Sequence, residues 1–138
     1  MRTIKFRAWH TEEKKMYHDA QKAYDYGCAG DPDKCPVFAF GEILEDSKYI
    51  AMQFTDLSDK NGVEIFEGDL VKIVSKSGFH FFGESNDAKE VHWDGCCFAV
   101  KDVCGSASLY FYVNHPEHYE VEIIGDIHQN PDLLPQTK

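Results

Sequence analysis

Residues 54–74 read Phe54-Thr55-Asp56-Leu57-Ser58-Asp59-Lys60-Asn61-Gly62-Val63-Glu64-Ile65-Phe66-Glu67-Gly68-Asp69-Leu70-Val71-Lys72-Ile73-Val74. Two reversal signals, Asn61-Gly62 and Gly68-Asp69, separate three apolar runs. Asn-Gly supplies the positive φ angles of a tight hairpin, and Gly68 does the same for the next reversal. The stretch therefore reads as strand, hairpin, short strand, sharp turn, strand.

Working toward the N-terminus, residues 2–9 predict a strand. Ile4, Phe6 and Ala8 share one of its faces, and Thr3, Lys5, Arg7 and Trp9 share the other. Residues 18–36 are irregular, with Gly and Pro and one helical turn expected around Asp19–Ala23. Val37–Phe40 is a further candidate strand, an acidic stretch follows at Glu42–Asp46, and residues 48–54 lead into the quoted stretch. Toward the C-terminus, strands are expected at Leu70–Val74, Phe79–Phe82, Glu90–Trp93, Cys97–Val100, Leu109–Val113 and Val121–Ile127, with a hairpin at Asp94-Gly95. Gly125 marks a bulge or a close backbone approach. Asp132–Leu134 predicts one terminal helical turn.

Short strands separated by turns give a mainly β fold. The turn through Glu67-Gly68-Asp69 into an apolar strand resembles the opening of SH3-like barrels. The expectation is a small, strongly bent barrel over about residues 48–134, with N-terminal strands from about residues 1–47 packed against it and little helix. Residues 1–138 are expected to form a single domain.

The chain carries 14 Lys and Arg against 24 Asp and Glu, a formal charge of −10. Such a surface repels phosphate at long range, which counts against general nucleic-acid binding and suits partners with basic patches. A hydrophobic content of 43% supports a real core and argues against disorder. Neither a secretory leader nor a run long enough to span a membrane is legible, so a cytoplasmic protein with no membrane partner is expected. In that compartment the five cysteines read as thiols rather than disulfides. Cys28 and Cys35 are close enough in sequence to oxidise to each other in vitro.

Chemistry-bearing groups are few. His115-Pro116-Glu117-His118 offers two imidazoles and a carboxylate, but Pro116 excludes the helix that would hold them for zinc, and plain loop histidines are expected. Cys96, Cys97 and Cys104 with His92 would suit a thiolate site. Against it, the spacing lacks paired Cys-x-x-Cys knuckles, and neighbours on a strand point to opposite faces. Cys97 beside His92 is a conceivable nucleophile–base pair with no visible loop to activate it. Glu64, Glu67 and Asp69 read as turn caps, and Arg7 is expected to hydrogen-bond a carboxylate near Gly68-Asp69. Lys5, Arg7 and Trp9 form a basic-aromatic face able to stack a base. Tyr110 and Tyr112, in a stretch apolar on both faces, suggest a central strand or contact with a second copy.

Three patches in fixed order carry a family resemblance: Ile4-Lys5-Phe6-Arg7-Ala8-Trp9; Met52–Thr55 with Asp59–Val71; and Tyr119-Glu120-Val121-Glu122-Ile123-Ile124-Gly125-Asp126-Ile127-His128-Gln129-Asn130-Pro131-Asp132-Leu133-Leu134. Together they resemble the YopX family, small proteins of phages and prophages. Asp56 departs from it, standing where the family tends to have glycine after the threonine. If that glycine serves a positive-φ turn, Asp56 must adopt it. His128-Gln129 also replaces a more usual aromatic-acidic pair. The resemblance implies a β-rich fold and a phage or prophage origin, and brings no catalytic residue, cofactor or metal. The expected function is a non-enzymatic module binding a host or phage protein. The alternatives are nucleic-acid binding or DNA mimicry and, behind them, a small metallo- or thiol hydrolase.

Overall fold

The computed structural model describes residues 2–22, 40–76, 88–102 and 105–134. Among the described residues the chain is mainly β, with two sheets, one of them a strongly curled half-barrel. It divides into two compact units, Met1–Phe54 and Thr55–Lys138.

In the first unit, β1 (Phe6–His10) lies between β2 (Lys15–Tyr17) and β3 (Tyr49–Ser58), antiparallel to both. Ala8 pairs with Tyr17 on one side and Ala51 on the other, which fixes the register. A 3-10 turn at Ala20–Lys22 meets the expectation for Asp19–Ala23, and Phe40–Glu45 forms helix α1. Ala8, Ala20 and Ile43 are the buried centre, with Phe6, Phe40 and Tyr49 packed around them. Residues 37–39 of the expected Val37–Phe40 strand lie outside the described residues.

The unit boundary falls inside β3. There Phe54 and Thr55 are both buried, so the alternation of a strand is broken, and the next residue, Asp56, has φ 65°. A positive φ reverses the local pleat, and Asp tolerates it better than most residues. The position where the sequence departs from glycine is therefore one where the backbone asks for it. Thr55 Oγ1 donates to the Ile65 carbonyl at 2.8 Å and accepts the Leu57 N–H at 3.2 Å, closing the bend with its own side chain.

In the second unit the quoted stretch folds as read. β3 ends at Ser58, Gly62 (φ 79°) turns the chain, β4 spans Glu64–Phe66, Gly68 (φ 82°) turns it again, and β5 spans Asp69–Ser75. Asp69 caps that second turn, its Oδ2 accepting the Phe66 N–H at 2.8 Å. The remaining strands are β6 (Lys89–Trp93), β7 (Phe98–Asp102), β8 (Gly105–Ser108) and β9 (Tyr119–Asp126). They assemble with β5 in the order β8-β7-β6-β5-β9. Pairing of β5 with β9 slips between Leu70↔Gly125 and Val71↔Ile123, a bulge at Ile124 beside Gly125. Gly125 also meets its second expectation, because a Cβ there would lie 2.5–2.9 Å from the Asn130 side chain. A 3-10 turn at Pro131–Leu133 follows. Ile65, Val71, Val91, Val100, Leu109, Tyr112 and Val121 form the core of this unit.

Leu109–Val113 is not a strand but the short helix α2. Helical spacing turns Leu109 and Tyr112 inward and leaves Tyr110 64% exposed. A five-residue run that is apolar throughout has no period to separate the two readings. Phe79–Phe82 lies outside the described residues. Among the described residues no helix is long and apolar enough to cross a membrane.

Candidate functional site

A groove of about 550 Å³ opens in the second unit, between the β3–β4 loop, the α2 region and the start of β9. Tyr119 gives it an aromatic side, with the buried Tyr112 ring behind it, edge to face at 5.0 Å. Phe111 extends this cluster outward, 5.8 Å from Tyr119 and 4.7 Å from the His115 ring.

The groove's cations are already engaged. Lys60 Nζ lies 3.6 Å from Glu120 and 3.5 Å from Glu122, and Lys76 Nζ lies 3.8 Å from Glu120 while donating to the Pro116 carbonyl at 2.7 Å. Glu122, then Glu120, hold the Lys60 ammonium above its ordinary pKa. Both glutamates alternate with inward Val121 on β9, so strand periodicity places them on one side of the sheet.

Asp59, noted in the sequence only as the start of a family patch, positions the loop. Its Oδ1 accepts the N–H groups of Asn61 (2.8 Å) and Val63 (3.0 Å), and its Oδ2 accepts that of Ile123 (3.1 Å). The side chain is buried, and the Lys60 N–H donates to the Val121 carbonyl at 2.9 Å beside it. The Asp-x-Asn-Gly spacing was legible as a self-capping turn; the bond to Ile123 was not.

The predicted residues scatter. Arg7 and Trp9 retain only 8% and 7% exposure, and the Lys5 ammonium sits 5.5 Å above the Phe54 ring, so little basic-aromatic surface is left on β1. Tyr112 is buried in the core and only Tyr110 is open. His115 Nδ1 contacts the Phe111 carbonyl at 2.7 Å, whereas His118 Nε2 lies 3.8 Å from Glu117, so the two imidazoles serve different partners. His92 contacts Ser106 Oγ at 3.2 Å rather than Cys97. Cys28, Cys35 and Cys104 lie outside the described residues.

Cys96 and Cys97 depart from the expected opposite-face arrangement, because the turn after β6 runs through both before β7 begins. Asp94 Oδ1 accepts the N–H groups of Cys96 (3.0 Å) and Cys97 (2.9 Å), which brings both thiols toward one carboxylate. Cys96 Sγ lies 3.3 Å from Oδ1 and Cys97 Sγ 3.6 Å from Oδ2. The backbone N–H bonds from Cys96, then Cys97, hold the Asp94 carboxyl at about 2, and its hydrogen bond pushes the Cys96 thiol up to about 11.

Against known proteins, a family model described as YopX protein matches residues 5–135. The chain belongs to the YopX family. Two solved structures place the YopX chain among its relatives in fold. Protein EF1440 from Enterococcus faecalis is 26% identical with a TM-score of 0.62, covering 98% of this chain and 100% of its own. YopX from Bacillus subtilis is 23% identical with a TM-score of 0.59, at the same coverages of 98% and 100%. No curated protein matches the sequence.

Proposed function

We propose that this YopX-family chain is a non-enzymatic binding module, encoded by a phage or prophage, that engages a host or phage protein in the bacterial cytoplasm. The phage setting rests on the family alone. The observation that carries the binding role is the groove of the second unit, where an aromatic side stands beside lysines already matched by Glu120 and Glu122. Mixed, paired charge around aromatic surface suits a protein segment, which can exchange ion pairs and bury rings. A nucleic acid would first have to displace those carboxylates from the cations it needs, against a chain charge of −10. Tyr110, exposed on α2 outside the groove lining, is an amphipathic ring of the type enriched at interfaces.

The test is affinity purification of the tagged protein from a bacterial host, with and without nuclease, beside Lys60→Glu and Lys76→Glu variants, both at residues that line the groove. A stoichiometric protein partner that survives nuclease and is lost from either variant is the expected result. Nucleic acid whose removal strips every companion would overturn it and favour the nucleic-acid reading. A partner retained equally by both variants would move the interface away from this groove.

A further inference from the structure

We propose that the turn Asp94–Cys97 is a binding site for a thiophilic divalent cation of the zinc–cadmium class, held by Cys96 Sγ, Cys97 Sγ and Asp94 Oδ2. The site is independent of the groove and of the function proposed for it.

Among the described residues this is the group in which metal-binding atoms of three side chains converge, all within 4.8 Å of one another. A tetrahedral ion with Zn–S near about 2.3 Å and Zn–O near about 2.0–2.2 Å separates its ligand atoms by about 3.5–3.8 Å. The Cys97 Sγ to Asp94 Oδ2 distance, 3.6 Å, already falls in that range. Asp94 Oδ1 is committed to two backbone N–H groups, which fixes the carboxylate and leaves Oδ2 as the ligand atom. The turn itself is held by the Asp94 N–H to Cys97 carbonyl bond (3.1 Å) and, at its base, by Trp93 paired with Phe98, rings 5.1 Å apart. Asp94 and Cys96 are exposed and Cys97 half-buried, so a hydrated ion reaches the ligands and keeps water in its fourth position.

The thiol hydrogens now pointing at the carboxylate are what an ion would replace. Each S–H bond breaks, the proton leaves to solvent, and the sulfur donates the electron pair it retains to the metal. Nothing is oxidised, and one ion releases two protons. Two soft thiolates and one carboxylate select zinc or cadmium over magnesium and calcium.

The test titrates Cd²⁺ alone into the reduced chain of residues 1–138 carrying C28S, C35S and C104S, reading the ultraviolet thiolate-to-cadmium band, with bound metal per chain from native mass spectrometry. One ion per chain is expected, with no competition from excess Mg²⁺. Adding Asp94→Asn keeps an acceptor for the two N–H groups and should weaken affinity by about tenfold or more. Adding Cys97→Ser should abolish stoichiometric binding, with circular dichroism confirming that both variants remain folded. The proposal is overturned by no band at equimolar Cd²⁺, by unchanged affinity in Asp94→Asn, or by one ion per two chains, which would place it between molecules.

Discussion

Replacing Asp59 by alanine removes the acceptor of three backbone N–H groups at once, those of Asn61, Val63 and Ile123. A hydrogen bond to a charged group contributes about 1.5–3 kcal/mol net, and an N–H left without a partner costs about 1–3 kcal/mol when water cannot replace it. Asn61 and Val63 are exposed, so their N–H groups rehydrate and together account for about 1 kcal/mol. Ile123 is half-buried on β9, and its bond counts nearly in full. The expected loss is about 3 kcal/mol, a large part of the 5–15 kcal/mol typical of a folded domain. For a chain of this length it corresponds to a fall in Tm of about 10 °C.

Asp59→Asn separates the contributions. The amide still offers one acceptor oxygen, but its nitrogen must face an N–H donor, so about half the loss is expected. Urea unfolding followed by far-ultraviolet circular dichroism gives the global figure, and amide exchange at Ile123 gives the local one. An Asp59→Ala midpoint within about 0.5 kcal/mol of the parent, with Ile123 exchange unchanged, would refute the reasoning.

Gly125→Ala should cost about 1–3 kcal/mol, because its Cβ would meet Asn130 at 2.5–2.9 Å; thermal unfolding beside the relieving double variant with Asn130→Gly checks it. Asp56→Val should cost about 1–2 kcal/mol more than Asp56→Gly, since a β-branched residue is strained at φ 65°; urea midpoints decide. Lys60 has its pKa raised by Glu122 and Glu120, so its contribution to stability is complete below the unfolded-state value near 10.5 and is lost as pH rises through the higher folded value. Nitrogen-detected NMR should show the Lys60 titration move down in Glu122→Gln, and no movement would discount the pair.

The turns were legible because positive φ is written in composition: Gly62 and Gly68 stand where the backbone reverses, and Asp56 where a glycine was looked for. The β6–β7 hairpin was legible for the same reason. What stayed hidden had no local signature. The bond from Ile123 to Asp59 spans 64 residues. The α2 helix is too short, and too uniformly apolar, to show a period. Cys97 reads from the sequence as the start of a strand, where alternation would part it from Cys96, although the turn continues through both. The basic-aromatic stripe on β1 looked open because one strand shows nothing of what covers it.

Asp59 also explains why the groove and the sheet depend on one another. Among the described residues β9 is the last strand of its sheet, so its outer N–H and C=O groups need partners. The β3–β4 loop supplies two: the Lys60 N–H meets the Val121 carbonyl, and the Asp59 carboxylate meets the Ile123 N–H. That docking brings Lys60 to Glu120 and Glu122, which project from the same strand. The loop thus closes an edge and builds the charged side of the groove in one step. Substitution at Asp59 should therefore impair stability and binding together and leave the edge of β9 open to aggregation. Substitution at exposed Lys76, which lines the groove, should impair binding alone. If Asp59→Ala kept full affinity for a groove partner despite its lost stability, the loop would be an edge cover only.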